Sequence, residues 1–454
     1  MTTSENRELM TPSSETSSTI HVVAALLAAL WIGLVAVAGY VLLWGGLGLL
    51  RATGIVAASW VWPALAVGQG LLLAIPLAVL ARRTRSRRYR AVFNVWGWGA
   101  LALVSLAPIR LIPVLGSSLT SLTQLVLLFI LWLLLRAVGA RRAREQARRG
   151  GAVALALVPL VLMPWLLWTA TGSPLDIVLN VAVGLLAGAF AAEVLTEILL
   201  PALHRTSTPG WTLTLGGFAA SVFLAMLAVA LGAAGLGLLL WLLLPATGWL
   251  AVALARVGSE SFANRRAVAL FLGLVTAIPL VMVDTEETLL LLNVGARDVL
   301  TWALLAALAS AGVALLLGLL AWLVRNLLPR LRGGWGWSLA ALGTWGLAAA
   351  LWVMAGQPGL FGDRLFVILD SQADLSTLGQ LETREARMSE TYEQLVRHAD
   401  RAQAPLRQAL DRWRVPYQPY YLVNAIEVRG GPLHKLWLES RPEVDRVIAS
   451  PVLR

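Results

Sequence analysis

Residues 177–200 read IVLNVAVGLLAGAFAAEVLTEILL, a long apolar run interrupted by one amide and two carboxylates. About 20 apolar residues cross the hydrocarbon core of a bilayer, so this stretch predicts a transmembrane helix. The whole 454-residue chain is similar in character, with 58% hydrophobic residues, 13% charged residues and no cysteine. This composition excludes a single soluble domain, a disulfide-stapled secreted protein, a disordered chain and a cysteine-ligated metal site.

Ten further stretches resemble this one in length and hydropathy. Residues 21–356 therefore predict an all-α polytopic membrane domain of about 11 transmembrane helices. The predicted spans are 21–44, 54–80, 91–109, 112–135, 151–170, 177–200, 211–231, 234–255, 267–283, 299–324 and 335–356. Only the short Gly232–Gly235 region separates the seventh span from the eighth, and Pro113 weakens the start of the fourth. Residues 1–20 predict a cytoplasmic tail, because their glutamates do not suit a cleaved signal peptide.

The net charge of +11 is distributed unevenly. Residues 1–356 hold 23 Arg and 12 acidic residues, whereas residues 357–454, the C-terminal module, are neutral. With a cytoplasmic N-terminus, the inner segments hold 20 arginines and the outer segments hold 3. This bias follows the positive-inside rule, and an odd number of spans then places the module outside the cytoplasm at the plasma membrane. Arginines in short loops between spans indicate membrane lipid as a partner and argue against nucleic-acid binding.

Polar side chains inside a span are costly in lipid and are therefore candidates for function. In the sixth predicted span these are Asn180, Glu193 and Glu197, with the two glutamates one helical turn apart on one face. A proton or cation path would use such a pair. The alternative is structural, because Glu197 lies near the cytoplasmic end, where it reaches water. The chain has no phosphate-binding loop, metalloprotease motif or nucleophile elbow, so we predict no catalytic residue, cofactor or metal.

The C-terminal module has the alternating pattern of a small α+β domain. Strands are predicted at 363–369 and 444–448, and one long or two short strands at 416–428. A helix is predicted over 373–413, with Pro405 expected to break or kink it, and a second helix over 432–439. The order βαββαβ predicts a ferredoxin-like fold, with one antiparallel sheet and two helices on one face.

The module also resembles the N-terminal propeptide of subtilisin-type serine proteases and the related propeptide-like peptidase inhibitors. The resemblance covers most of residues 363–449, about a fifth of the chain, as several short blocks in order. The matching residues are Gln372–Ser376, Tyr392, Leu395, Gln403–Leu406, Leu410, Tyr417, Tyr420, Val423–Ile426, Val428–Gly430 and Arg441–Val444.

The resemblance implies a function for the module. Such propeptides pack their sheet against the protease, place their C-terminal segment in the substrate cleft, and act as folding templates and inhibitors. The implied protease contacts are Tyr421, Val423, Asn424, Ile426, Val444, Ser450, Pro451, Val452, Leu453 and Arg454. In the proteases a catalytic domain follows the propeptide, and here the chain stops at Arg454. We therefore expect no enzymatic activity from this chain itself.

Three functions remain open at this point. The chain displays a module that inhibits a subtilase, or helps it fold, in trans. Alternatively, it is the front half or a remnant of a membrane-bound subtilase precursor. In the third reading, the spans form a transporter or sensor and the module regulates them.

Overall fold

A computed structural model describes residues 12–53, 60–112, 117–139, 150–169, 171, 173–232, 236–259, 261–262, 264–285, 288, 298–331, 334–355, 357–358, 364–376, 383–430 and 432–449. The described part of residues 1–356 is almost entirely helical. Its helices are α1 (Pro12–Thr53), α2 (Val61–Arg83), α3 (Arg87–Ser105), α4 (Ser117–Gly139), α5 (Gly151–Leu162), α6 (Pro174–Glu193), α7 (Leu200–His204), α8 (Pro209–Leu231), α9 (Leu236–Ala246), α10 (Gly248–Arg256), α11 (Arg265–Met282), α12 (Asp298–Leu323) and α13 (Trp335–Ala355).

Nine of the described helical segments are long and apolar enough to cross a membrane, which is compatible with a multi-pass membrane protein. The predicted eighth span is instead a pair of helices, Gly237–Ala246 and Gly248–Arg256, bent by 44° at their junction. The predicted fifth span is a shorter apolar helical segment, Gly151–Leu167. The eleven predicted spans thus correspond to nine candidate spans, one bent pair and one short segment.

Small residues bring α6 and α11 into close contact. A Cβ atom at Gly188 would overlap the backbone of Gly273 and the carbonyl oxygen of Ala269. One turn earlier, a Cβ atom at Gly184 would meet the backbone of Ala277. Because lipid gives helices no hydrophobic reason to associate, such close approach supplies much of the packing energy between them.

The C-terminal module follows the element order predicted from its sequence. It contains β3 (Leu365–Leu369), α14 (Arg384–Arg412), β4 (Tyr417–Tyr420), β5 (Ala425–Val428), α15 (Pro432–Glu439) and β6 (Val444–Ala449). A two-residue parallel pair precedes it, formed by β1 (Trp168–Thr169) and β2 (Gln357–Pro358). The four later strands form an antiparallel sheet in the order β4-β5-β3-β6.

One face of this sheet forms the core of the module. Alternate residues of β3 are buried, and they pack with leucines of α14 and α15. The buried members are Leu365, Val367, Leu369, Leu406, Leu410, Ile426, Val428 and Leu438. Both helices therefore lie on the same face of the sheet, and the other face carries no helix of the described module.

Two predictions about α14 need correction. The helix begins at Arg384, where Thr383 caps it, whereas residues 371–375 are not helical. Asp374 accepts a hydrogen bond from the Ser376 backbone N–H, a local turn that lowers the pKa of this carboxyl and competes with helix formation. The predicted break at Pro405 is also absent, because the helix continues through this exposed residue, where water can satisfy the carbonyl that loses its partner.

Candidate functional site

Helix α6 begins at a capping box that fixes its position. The Ser173 side chain accepts a hydrogen bond from the Asp176 backbone, and the Asp176 carboxylate accepts one from the Ser173 N–H at 3.0 Å. The Asp176 carboxylate also accepts a hydrogen bond from the Ser118 hydroxyl of α4. A buried carboxylate is therefore satisfied at the start of α6, although sequence reasoning did not select Asp176.

Asn180 lies one turn further along α6 and is buried. Its Oδ1 accepts a hydrogen bond from the Ser121 hydroxyl at 2.7 Å, and its Nδ2 donates to the Leu280 carbonyl at 3.1 Å. The asparagine thereby joins α4, α6 and the end of α11. Thirteen residues of helix separate it from Glu193, which corresponds to about 20 Å. The structure does not bring Asn180 together with the two glutamates.

Glu193 is held by three side chains from two neighbouring helices. Its Oε2 accepts hydrogen bonds from Trp132 Nε1 at 3.0 Å and from Arg136 Nε at 3.2 Å. Arg265 Nη1 lies 3.9 Å from Oε1, and the Arg136 guanidinium stacks over the Trp132 ring at 3.9 Å. Glu193 is thus the shared ion-pair partner of two arginines from two different helices.

Glu197 lies within a π-helical turn, Val194–Leu199, that interrupts the helix between α6 and α7. Single π-turns inside helices are rare and occur frequently at functional sites. Glu193 and Glu197 both line a cavity of about 580 Å³ between α2, α3, α4 and this turn. The structure thus places the two predicted carboxylates along the same cavity.

The module residues predicted to contact a protease are divided between its surface and its core. Tyr421 and Val423 are exposed in the turn between β4 and β5, and Val444 is half-buried at the start of β6. Asn424 and Ile426 are buried, at 2% and 0% exposure, so their side chains are not available to a surface partner. Ser450, Pro451, Val452, Leu453 and Arg454 lie outside the described residues.

The buried Asn424 shapes the turn that carries Tyr421 and Val423. Its φ of 38° is in the left-handed region, which asparagine tolerates better than most residues. Its Nδ2 donates to the Ser371 carbonyl at 2.6 Å, and its Oδ1 accepts from Gln403 Nε2 at 3.1 Å. The same Gln403 nitrogen donates to the Tyr420 carbonyl at 2.8 Å. Asn424 therefore positions the surface residues around it.

The uncovered face of the sheet, which we call the open face, carries apolar side chains that sequence reasoning missed. Phe366 lies opposite Ile448 in the strand register, and its ring contacts that of Tyr420 at 5.6 Å between centroids. Tyr420 and Ile448 are 40% and 44% exposed. The signal was present in the alternation of β3, where Phe366 and Ile368 occupy the positions between the core residues.

Among the described residues of the module, Ser371 and His398 are the pair that most resembles a catalytic nucleophile with its base. His398 Nε2 lies 3.1 Å from the Ser371 hydroxyl and 3.1 Å from the Ser371 carbonyl oxygen. Both contacts use the same ring nitrogen, and neither supplies the orienting acid of a catalytic triad. The contact fixes the end of β3 against α14. No group of three potential metal-ligating side chains occurs among the residues that the structure describes.

No protein-family model, curated protein sequence or solved structure matches this chain.

Proposed function

We propose that this chain is a multi-pass plasma-membrane protein whose C-terminal module binds a subtilase-type serine protease in trans, and inhibits it or assists its folding. The proposal treats the module as a ferredoxin-like, propeptide-like domain. Its support is the element order βαββαβ, the sheet order β4-β5-β3-β6 and the placement of both helices on one face. This arrangement is the one that the resemblance to subtilisin propeptides implies.

The observation that carries the proposal is the open face of the sheet. An antiparallel sheet with one solvated face normally presents polar residues there. Here Phe366, Tyr420 and Ile448 form a mixed aromatic and aliphatic surface beside Glu427. The Tyr420 hydroxyl lies 3.4 Å from the Glu427 carboxylate, so the surface combines apolar area with hydrogen-bonding groups. Interfaces between proteins favour this combination, in which aromatic anchors are enriched.

The distribution of arginines supports an extracytoplasmic position for the module. If only the nine candidate spans cross, 19 arginines lie on the side of the N-terminus and 4 on the other side. If the bent pair and the short segment also cross, the numbers are 20 and 3. Either ten-span arrangement leaves 8 or 9 arginines outside. The positive-inside rule thus favours an odd number of spans, with the module outside.

The proposal is tested by titrating a secreted subtilisin-type protease with the full chain in lipid nanodiscs. We expect inhibition of peptide hydrolysis, or faster refolding of the denatured protease, at micromolar concentration. Tyr420→Asp and Ile448→Asp place a charge on the open face, and each should weaken binding by about tenfold or more. Leu436→Asp is the matched control, because Leu436 is exposed on α15, away from the open face.

Residues 450–454 allow a second test of the proposal. By the resemblance, this segment enters the substrate cleft. A chain ending at Ala449 should therefore still bind the protease through the open face but no longer block hydrolysis. If the full chain neither inhibits the protease nor assists its refolding at micromolar concentration, the proposal is refuted.

A further inference from the structure

The C-terminal module begins close to the ends of the membrane helices. The strand that precedes it, β2 (Gln357–Pro358), pairs with β1 (Trp168–Thr169), which directly follows the short apolar segment Gly151–Leu167. Six residue steps lead from Pro358 to Arg364, and they span at most about 22 Å. Helix α15 also approaches α13 to within 8 Å between Cα atoms. The module therefore lies within reach of the headgroup layer on its own side of the membrane.

The register of the sheet shows which end of the module lies at this connection. Leu365, the first residue of β3, is opposite Val428 of β5 and Ala449 of β6. Tyr417, the first residue of β4, is also opposite Val428. The connection from α14 to β4 and the connection from β5 to α15 therefore lie at the same end as the start of β3. We call this end of the module the basal end.

Two tryptophans and a leucine form an apolar patch that starts at the basal end. Trp413 directly follows α14 and is 70% exposed, and Leu436 of α15 is 64% exposed. The Trp413 ring stacks on that of Trp437, with 6.2 Å between centroids, and Trp437 packs against the module core. We call Trp413, Leu436 and Trp437 the basal patch. The described membrane helices leave Trp413 and Leu436 uncovered, although α15 lies next to α13.

Two arginines flank the exposed tryptophan. Arg412 and Arg414 are the chain neighbours of Trp413, and both are exposed. The adjacent acid, Asp411, accepts a hydrogen bond from the Tyr417 hydroxyl at 3.3 Å. A tryptophan between two arginines suits a membrane surface, because the indole ring settles at headgroup level and the guanidiniums bind lipid phosphates.

We propose that the basal patch docks onto the phospholipid surface from which the module emerges. Trp413 and Leu436 insert at headgroup level, while Arg412 and Arg414 contact lipid phosphates. A bilayer is the favoured occupant, because the connection to β2 keeps it beside the patch, whereas a soluble partner must first be recruited. The open face lies on the opposite side of the sheet from α15 and stays free. The inference rests neither on protease binding nor on the side of the membrane that the module occupies.

The test places one full-length chain in each lipid nanodisc and follows a fluorophore on a single introduced cysteine. The label replaces either Leu436 in the basal patch or Ser389, an exposed residue near the start of α14. The discs contain phosphatidylcholine, phosphatidylglycerol and a lipid with a nitroxide on its headgroup, which quenches fluorescence at contact distance. We expect the label at Leu436→Cys to be strongly quenched and the label at Ser389→Cys to stay bright.

Two aspartate variants, made in the Leu436→Cys chain, provide a matched pair. Trp413→Asp places a charge in the basal patch and should abolish the quenching. Met388→Asp is the control and should leave the quenching unchanged. Met388 is 62% exposed on the same helix, but about 36 Å of helix separates it from Arg412. Unchanged hydrogen exchange of β3 and β5 shows that both variants fold.

The phosphate contacts are tested separately. Arg412→Gln and Arg414→Gln should each weaken the docking equilibrium about fivefold in discs that contain phosphatidylglycerol. In discs of phosphatidylcholine without phosphatidylglycerol, docking of the unaltered arginines should also weaken, because the surface no longer carries negative charge. If the arginine variants dock as well as the unaltered chain, the contacts assigned to Arg412 and Arg414 are wrong.

Three results would overturn the proposal as a whole. In the first, the label at Leu436→Cys is quenched no more than the label at Ser389→Cys. In the second, Trp413→Asp and Met388→Asp have the same effect on quenching. In the third, the label at Leu436→Cys is shielded from a water-soluble quencher only in discs that hold two chains, which makes a second copy the occupant of the basal patch.

Discussion

Asn180 in the membrane domain and Asn424 in the C-terminal module perform the same task in two different surroundings. Each is buried, each donates through Nδ2 to a distant backbone carbonyl, and each accepts through Oδ1 from a neighbouring side chain. Around Asn180 the helices approach through glycine and alanine, whereas around Asn424 a leucine-rich core closes against a sheet. Buried amides therefore fix register in both regions, but different forces hold the surrounding elements together.

The difference follows from the solvent. In water, burying apolar surface stabilises the module core by about 25 cal/mol per Å². Between transmembrane helices this term is absent, and close packing and internal hydrogen bonds replace it. Variants that remove a close backbone contact, a buried hydrogen bond or an ion pair are expected to show how much each stabilises its region.

The largest effect is expected from Gly188→Ala. The added methyl group overlaps the backbone of Gly273, which cannot move aside as a flexible side chain can. We expect α6 and α11 to separate at a cost of about 3 kcal/mol or more. Unfolding in mixed detergent micelles measures the loss. Gly346→Ala is the control and should be neutral, so equal losses for the two variants would contradict the close-packing account.

Asn424→Ala should be the next most damaging change. It leaves the Ser371 carbonyl without its 2.6 Å donor and removes an acceptor from Gln403. We expect a loss of about 2–3 kcal/mol, measured as faster hydrogen exchange of β3 and β5 in the full chain. Asn424→Gly keeps the left-handed backbone without strain and should lose nearly as much. Full stability of the glycine variant would show that the backbone angle, not the amide, is what matters.

Asn180→Ala removes an equivalent set of hydrogen bonds in the membrane domain, and we expect a smaller loss of about 1–2 kcal/mol. The reason is that polar groups of an unfolded chain inside a membrane also find partners, which reduces the net value of each native bond. Unfolding in mixed micelles, as for Gly188→Ala, gives the comparison. A loss larger than that of Asn424→Ala would reverse the proposed order of the two regions.

The smallest effect concerns charge. Glu193→Gln keeps the bond from Trp132 but removes the ion pairs to Arg136 and Arg265, which reach water and hydrate in part. We expect a loss of about 1 kcal/mol. Glu390→Gln breaks the exposed ion pair to Arg397 on the module surface and should cost about 0.3 kcal/mol. If the two variants lose the same free energy of unfolding, the ion pairs of Glu193 stabilise the protein no more than an exposed ion pair does.

The sequence predicts the helices of the membrane domain well because a long apolar run leaves the backbone few alternatives to a helix. It does not predict which runs cross, since the bend at Thr247 and the short segment Gly151–Leu167 depend on packing against neighbours. The pairing of Glu193 with Trp132 and Arg136 joins positions about 60 residues apart, and no local pattern indicates it.

In the C-terminal module, the alternation of apolar residues predicts the strands and their order along the chain. Local hydrogen bonding decides the details that were predicted wrongly. Asp374 binds the Ser376 backbone and Thr383 caps the helix, so α14 starts at Arg384 and not at residue 373. The open face is not predictable from the sequence, because Phe366 and Ile448 lie about 80 residues apart and only the assembled sheet places them side by side.

The proposed function requires the C-terminal module to lie outside the cytoplasm, on the side of the membrane opposite the loop between α2 and α3. The chain contains no cysteine, so a single introduced cysteine reports its own position without interference. Ser389→Cys on α14 and Arg85→Cys between α2 and α3 both replace exposed residues. With a membrane-impermeant maleimide, we predict labelling of Ser389→Cys in intact cells and of Arg85→Cys only after permeabilisation. Labelling of both positions only after permeabilisation would place the module in the cytoplasm and contradict its proposed encounter with an extracellular protease.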